Sequence, residues 1–128
     1  MSTITIEWFF HERNGSTCAR CTESLRAIRK ALQRVSRVLQ DRGIGIDLKE
    51  HPLDENMIDR SNSVTINGRD VIELLNERGD IYTFCRSCTD LIGKPTECRA
   101  FIYENKAYES IPEDMLVRAI LKEAGVTV

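Results

Sequence analysis

Apolar and polar residues alternate at the start of the chain. Between positions 3 and 10 every second side chain is apolar: Ile4, Ile6, Trp8 and Phe10. A period of two is typical of a strand with one buried face, so the pattern predicts a first strand over residues 3–10. The polar residues that follow, 11–17, include the turn-forming dipeptide Asn14-Gly15 and predict a loop.

The longest periodic segment follows at residues 20–41. Its apolar residues recur at spacings of three and four, the pattern of an amphipathic helix: Leu25, Ile28, Leu32, Val35 and Leu39. Gly43 is a typical residue just beyond a helix end. The opposite face is rich in arginine. We interpret it as a solvated surface rather than an RNA- or phosphate-binding one, because the rest of the chain is acidic.

Shorter elements are predicted after this helix. Residues 44–49 alternate as a second strand, and Pro52 is expected to end it. Residues 54–59 are compatible with a helical turn. The dipeptide Asn67-Gly68 then predicts a hairpin over residues 64–71, because both residues accept the positive φ angles of a tight hairpin turn.

The segment after this hairpin has a weaker pattern. Residues 71–78 fit either a strand or a partly helical segment. Residues 80–97 have weak periodicity and contain Gly93 and Pro95. We therefore predict an insertion at about 76–98, within a single domain that spans residues 1–128.

The chain is predicted to end in a hairpin and a helix. The apolar residues of 99–110 predict a hairpin in which Phe101 and Tyr103 lie across from Tyr108, with its turn at Asn105. Ser110 and Glu113 have the spacing of a capping box, which predicts the start of the final helix.

Length and composition bound the class of protein. The 128 residues fit one domain with a real core. Hydrophobic residues make up 41% of the chain and charged residues 30%, as in ordinary globular proteins. A net charge of −2 provides no surplus of cations for binding nucleic acid. No apolar run approaches the roughly 20 residues of a membrane span. The first residues lack the pattern of a signal peptide, so a cytoplasmic location is expected.

Five cysteines dominate the candidate chemistry. Cys18 and Cys21 form a Cys-x-x-Cys motif, here called the first cysteine pair. Cys85 and Cys88 form the second cysteine pair, and Cys98 follows it. Because cytoplasmic thiols are kept reduced, paired cysteines indicate transient redox chemistry or metal binding more than structural disulfides. The first pair lies between a predicted strand and a predicted helix, which is the setting of a thioredoxin-like redox motif.

The start of a helix favours the reactive form of a cysteine. A thiolate, and not a thiol, attacks disulfides and binds metals. The helix dipole and the cation of Arg20 are both expected to hold the pKa of the Cys18 thiol below its ordinary value. His11 is either an assisting base or a polar residue at the end of the strand.

The other three cysteines form an alternative metal site. Cys85, Cys88 and Cys98 have the spacing Cys-x2-Cys-x9-Cys, and thiolates bind zinc, other soft heavy metals and iron–sulfur clusters. Three ligands are one fewer than a structural zinc site takes. A local disulfide, or the burial of Cys98 as an apolar residue, stays open beside the metal hypothesis.

The order of the predicted elements resembles that of a known fold. Strand, Cys-x-x-Cys, helix, strand, short helix, hairpin and helix is the order of the thioredoxin fold. Residues Val64-Thr65-Ile66-Asn67-Gly68 resemble a glutaredoxin segment that follows a cis-proline. The whole chain is similar to an uncharacterised prokaryotic thioredoxin-like family with an added cysteine-bearing loop.

This resemblance implies a fold and a set of roles. The fold is α/β and thioredoxin-like: a central mixed sheet with flanking helices and a cysteine-containing insertion before the C-terminal hairpin and helix. Cys18 is implied as the nucleophile and Cys21 as the resolving cysteine. Asn62 stands in the place of the cis-proline, so a trans peptide bond is expected there, and the missing proline favours metal or cluster binding.

The resemblance also places the insertion. In a thioredoxin-like sheet it would leave from the edge that carries the first cysteine pair. The loop cysteines are therefore expected to approach Cys18 and Cys21 closely enough to exchange disulfides or share an ion.

Two functions follow as expectations. The first is a thiol-based redox protein that exchanges dithiol and disulfide at Cys18 and Cys21, with a protein or small-molecule thiol or disulfide as its partner. It requires no cofactor and leaves open whether the protein is a thiol–disulfide oxidoreductase in the enzymatic sense. The alternative is a protein whose cysteine thiolates bind zinc, another thiophilic metal or an iron–sulfur cluster. A structural or partner-binding domain is a third class. Hydrolase and transferase motifs are absent from the sequence, and the oligomeric state stays open.

Overall fold

The computed structural model describes residues 2–13, 16–17, 19–53, 62–75 and 81–126. In chain order its elements are β1 (Ser2–Arg13), β2 (Ser16–Thr17), α1 (Ala19–Asp41), β3 (Ile44–Leu53), β4 (Ser63–Ile66), β5 (Arg69–Asp70), α2 (Val71–Leu74), β6 (Ile81–Phe84), α3 (Arg86–Ile92), β7 (Glu97–Tyr103), β8 (Lys106–Tyr108) and α4 (Glu113–Glu123).

The main sheet is mixed and is built around β1. β3 pairs with β1 in parallel along its length, from Ser2 opposite Ile44 to His11 opposite Leu53. β4 pairs antiparallel on the other edge of β1, and β5 continues from β4. β2 folds back on the last residues of β1. With α1 and α4 packed beside this sheet, the protein has a mixed α/β fold.

The core lies between β1 and the helices. Ile4, Ile6, Trp8 and Phe10 of β1 are buried on the face predicted by the alternation, and the rings of Trp8 and Phe10 stack there with centroids 4.0 Å apart. α1 covers this face with the residues of its apolar stripe, as its periodicity predicted. The largest buried side chains of α4 complete the core: Met115, Leu116 and Ile120.

α1 and α4 pack against each other. Arg34 of α1 donates hydrogen bonds to Asp114 at 2.6 Å and to Glu113 at 2.8 Å, both in the first turn of α4. These bonds raise the pKa of Arg34 above its ordinary value, and the bond to Asp114 contributes most. The group is exposed, so the ion pairs orient the two helices more than they stabilise them.

Two predictions about β1 and β3 are wrong. Residues 11–13, expected in a loop, continue β1, and Pro52, expected to end β3, lies inside it opposite Phe10. β1 extends because β3 and β2 provide hydrogen-bonding partners up to its end. β3 tolerates proline because β1 is its one neighbouring strand in the described residues, and the outer edge of such a strand needs no donor.

Both predicted hairpins are confirmed. Asn67 and Gly68 have φ angles of 51° and 82°, and Glu104 and Asn105 have φ angles of 52° and 64°. Two successive positive φ angles match the right-handed twist of the flanking strands. The helical alternative for the residues after the first hairpin holds for α2, whereas residues 54–59 and 76–78 lie outside the described residues.

The predicted insertion contains regular structure. Its strand β6 pairs antiparallel with β7, and β7 pairs with β8 in a second, three-stranded sheet. Phe101 of β7 lies opposite Tyr108, as predicted, whereas Tyr103 lies opposite Lys106. Phe101 is fully buried in the common core. This side chain therefore anchors the second sheet to the main one.

The predicted capping box at the start of α4 is wrong. α4 has Pro112 as its N-cap, without a side-chain cap. Ser110 instead donates from its Oγ to the carbonyl of Arg20, 2.9 Å away. The hydroxyl that the local pattern assigned to the helix end thus bonds to a carbonyl that is distant in the sequence.

Among the described residues, no helix combines the length and the apolar character that crossing a bilayer would require.

If the second sheet shares its core with the main one, Phe101→Ala should destabilise the whole protein. The expected loss is about 3–5 kcal/mol of unfolding free energy, because the ring leaves a cavity in the common core. Urea unfolding followed by circular dichroism measures it. Lys106→Ala on exposed β8 is the control, expected within about 0.5 kcal/mol of wild type. A separate early transition confined to the second sheet would contradict the shared core.

Candidate functional site

The structure places the cysteines on three elements. Cys21 is the third residue of α1, in its first turn, and its side chain is fully buried. Cys85 is the N-cap of α3 and is also buried. Cys88 lies within α3 and Cys98 within β7; only their backbone positions are described. Cys18 lies outside the described residues.

The first cysteine pair follows the end of β1. Glu12 of β1 pairs with Thr17 of β2, and α1 begins two residues later, at Ala19. Thr17 donates from its Oγ1 to the carbonyl of His11 at 2.5 Å. The route from the sheet into the helix is thus held by backbone pairing and by a side-chain hydrogen bond. His11 itself is fully buried at this end of β1.

The backbone around Cys85 is tightly held. Its N–H donates to the carbonyl of Thr96 at 2.9 Å, and its own carbonyl accepts from the N–H of Thr89 at 2.9 Å. The N–H of Thr96 donates to Oγ1 of Thr89 at 3.0 Å. Gly93, with a φ of 89°, ends α3 in the left-handed conformation that glycine adopts without strain. These contacts fix where the second cysteine pair enters its helix.

The elements that carry the two pairs are neighbours. α3 contacts both β1 and β2, and β2 is the strand that leads directly into the first cysteine pair. The buried side chains of Cys21 and Cys85 belong to one continuous hydrophobic core. The tertiary structure therefore brings the second cysteine pair to the end of the main sheet at which α1 begins.

A buried polar network surrounds the start of α1. Ser24 donates from its Oγ to Oδ1 of Asn62 at 2.5 Å, and both side chains are fully buried. Asn62 donates from Nδ2 to the carbonyl of Glu109 at 2.8 Å. The N–H of Ile111 donates to Oγ of Ser24 at 3.1 Å. Since buried polar groups cost free energy unless they are hydrogen-bonded, these bonds reinforce one another.

Arg20 joins the same network from inside the Cys-x-x-Cys motif. Its side chain is 4% exposed, and its Nη2 lies 3.2 Å from Oε1 of Glu109, whose side chain is 75% exposed. The carbonyl of Arg20 accepts the bond from Ser110 described above. The segment 109–111 therefore binds the first turns of α1 through its backbone, a hydroxyl and a carboxylate.

Asn62 occupies the position that the resemblance assigns to a cis-proline. It precedes β4 and has a φ of 60°. Asparagine accepts this left-handed conformation better than most residues. No cis peptide bond occurs among the described residues. In place of a proline ring, this position carries an amide that hydrogen-bonds to α1.

Part of this network was missed from the sequence. Ser24 lies on the apolar stripe of α1, between the buried Cys21 and Ile28. A small polar residue at a core position was a usable signal for a buried hydrogen bond. Glu109 and Ser110 gave no such signal, because their partners are about 90 residues away in the chain.

The predicted metal ligands were Cys85, Cys88 and Cys98. Of these, only the side chain of Cys85 is described. Among the described side chains, no group of three or more His, Cys, Asp or Glu residues is arranged to hold a metal ion. The metal site stays a prediction.

Comparison with known proteins gives one family and one distant relative. A family profile described as a domain of unknown function (DUF2703) matches residues 4–120. An uncharacterised protein of Archaeoglobus fulgidus is 29% identical over 117 residues, which cover 88% of this chain and 82% of that protein. No solved structure matches the chain.

The network predicts a coupled loss of stability. Ser24→Ala should cost about 1–3 kcal/mol of unfolding free energy, because the amide of Asn62 and the N–H of Ile111 each lose a buried partner. Asn62→Gly keeps the positive φ and removes the amide. In a double-mutant cycle the two changes should couple by about 0.5 kcal/mol or more. Ser36→Ala, at an exposed position on the same helix, is the control. Additive losses would show that the contact is not energetically important.

Proposed function

The chain belongs to the DUF2703 family. We propose that it is a thiol-based redox protein with a thioredoxin-like fold. In this proposal Cys18 and Cys21 exchange reversibly between dithiol and disulfide. The partner is a protein or a small molecule that carries a thiol or a disulfide. The cytoplasm, where thiols are kept reduced, is the proposed compartment.

The strand order supports the thioredoxin-like fold. β1 leads through α1 to the parallel strand β3, and the antiparallel strands β4 and β5 lie on the other side of β1. α4 then packs on α1. A parallel pair joined by a helix, followed by an antiparallel hairpin and a final helix, is the order of elements in that fold.

The observation that carries the redox proposal is the position of Cys21. It lies in the first turn of a helix of 23 residues and is fully buried. A sulfur there lies near the positive end of the helix dipole, which favours a thiolate, whereas burial in the apolar core opposes it. Burial protects this sulfur from external oxidants.

The buried Arg20 adds a second supporting feature. It is the interior residue of the motif next to Cys21, and its guanidinium is held by Glu109 at 3.2 Å. A cation near a thiolate favours the charged form of the sulfur. Because Glu109 is largely exposed, water screens its opposing charge more than it screens the buried guanidinium.

The proposed exchange is balanced as follows. The thiolate of Cys18 attacks one sulfur of a substrate disulfide, a mixed disulfide forms, and the other substrate sulfur leaves as a thiolate. Cys21 then loses its proton and attacks the sulfur of Cys18. The mixed disulfide breaks, the second substrate sulfur leaves, and the Cys18–Cys21 disulfide remains. The protein gives up two electrons and two protons, and the substrate gains them.

The roles of the two cysteines predict opposite phenotypes. Cys18→Ser should lower the rate at which reduced protein cleaves a chromogenic small-molecule disulfide by about 100-fold or more, because the attacking sulfur is gone. Cys21→Ser should still react once and then accumulate as a stable mixed disulfide, visible by mass spectrometry. Cys98→Ser is the matched control. An unchanged rate in Cys18→Ser removes this residue from the nucleophile's role.

Metal analysis separates the redox proposal from its alternative. Protein purified without oxygen is expected to contain no stoichiometric metal and to cycle between dithiol and disulfide with a two-electron change. Elemental analysis and the absorption spectrum measure this. Zinc or iron bound near one equivalent, with no disulfide cycle, would support the metal-binding hypothesis instead.

Arg20 and Glu109 should shift the titration of the first cysteine pair in opposite directions. Arg20→Gln removes a positive charge, so the thiol pKa should rise and the pH midpoint of alkylation should move up by roughly one pH unit. Glu109→Gln removes a negative charge, so the midpoint should move down. The second shift should be smaller, because Glu109 is exposed. Glu104→Gln, which alters an ion pair with Arg118 on α4, is the control. A common direction for both changes would contradict the electrostatic role.

A further inference from the structure

We propose that the second cysteine pair is the internal redox partner of the first, so that disulfide exchange passes between the two pairs within one chain. This inference rests on the proposed function and names a partner for the first pair. The thiol partner is Cys85 and Cys88, carried by a separate helix of the same molecule.

The first argument is the placement of α3. The second pair lies about 65 residues after the first in the sequence, yet α3 contacts both β1 and β2. β2 ends at Thr17, directly before the first pair. The insertion therefore places α3 beside the strand that leads into the first cysteine pair.

The second argument is burial. Cys85 is 3% exposed and Cys21 is 0% exposed, and both side chains belong to the same core. An external protein disulfide cannot reach a sulfur that is buried to this degree while the fold is intact. A partner that is already inside the fold has no such barrier.

The third argument is the rigid attachment of Cys85. Its N–H and carbonyl are both hydrogen-bonded, to Thr96 and Thr89, and the strands that precede and follow α3, β6 and β7, pair antiparallel with each other. β7 is anchored in turn by Phe101 in the common core. A group held near its partner reacts at a high effective concentration that does not depend on the concentration of the protein.

The exchange needs no external reagent. One thiolate of the second pair attacks the Cys18–Cys21 disulfide, a disulfide between the two pairs forms, and one sulfur of the first pair leaves as a thiolate. The remaining thiolate of the second pair then attacks its own neighbour's sulfur and releases the first pair. Two electrons and two protons move from the second pair to the first, and the Cys85–Cys88 disulfide replaces the Cys18–Cys21 disulfide.

The test traps the intermediate that joins the pairs. In one variant Cys21, Cys88 and Cys98 are each changed to Ser, which leaves Cys18 and Cys85. In a second variant Cys21, Cys85 and Cys98 are changed, which leaves Cys18 and Cys88. Each is oxidised with a small amount of oxidised glutathione, alkylated and digested. The expected result, in at least one variant, is an intramolecular disulfide in monomeric protein, formed at a rate that about tenfold dilution leaves unchanged.

A matched control retains Cys18 and Cys98 as its two thiols. If proximity is specific to the second pair, this variant should give glutathione adducts and intermolecular dimers instead. Circular dichroism and urea unfolding verify that each variant folds. Folded variants that yield adducts and dimers alone, with no disulfide between the pairs, would overturn the proposal.

A measurement on protein with all five cysteines covers the case in which a triple variant fails to fold. With one equivalent of oxidised glutathione, both the Cys18–Cys21 and the Cys85–Cys88 disulfides should appear. Cys18→Ser should slow oxidation of the second pair by about tenfold or more, since the direct route to buried Cys85 is hindered. An unchanged rate of oxidation of the second pair would contradict disulfide exchange between the pairs and leave the redox role of the first pair intact. A Cys18→Ser protein with full disulfide-cleaving activity would instead contradict the proposed function itself.

Discussion

Strand β1 is hydrogen-bonded along both of its edges, and the rest of the structure is arranged around this constraint. The parallel register with β3 runs from Ser2 to His11, and β4 pairs on the opposite edge. A strand paired on both edges has its side-chain alternation fixed, because a slip of one residue would expose Trp8 and Phe10. The same pairing holds the end of β1 in place, and that end determines where α1 begins.

The start of α1 is held by polar contacts that only the folded chain can make. Arg20 and Ser24 are buried, and their partners lie in the segment 109–111 and at Asn62. Burying these groups would cost several kcal/mol without partners. The hydrogen bonds offset that cost and connect the Cys-x-x-Cys motif to the approach of α4.

The insertion lies near the site because of how it packs on the main sheet, which its sequence pattern did not predict. Its weak periodicity predicted no regular structure, yet β6, α3 and β7 form an antiparallel unit. Each of these elements is too short to bury a face alone. They become stable because Phe101 and Tyr103 enter the core shared with the main sheet. This docking puts α3, with Cys88 in its first turn, beside the strand that leads to Cys21.

Local patterns were sufficient for some elements of this protein. The amphipathic stripe of α1, the alternation of β1 and the positive φ angles at Asn67 and Gly68 all depend on residues that are close in sequence. Each was predicted within a few residues, as was the position of Cys21 at the start of α1. The family match over residues 4–120 carries no further chemistry.

Tertiary structure decided the features whose partners are distant in the chain. Residues 11–13 became strand and Pro52 was accepted in β3 because a neighbouring strand supplied or spared the hydrogen bonds. Ser110 hydrogen-bonds to the carbonyl of Arg20, 90 residues earlier, instead of capping α4. The burial of Arg20, the role of Asn62 and the placement of α3 have the same origin. A hydrogen bond or a packed face between remote residues leaves no periodic trace in the sequence, so only the folded chain determines it.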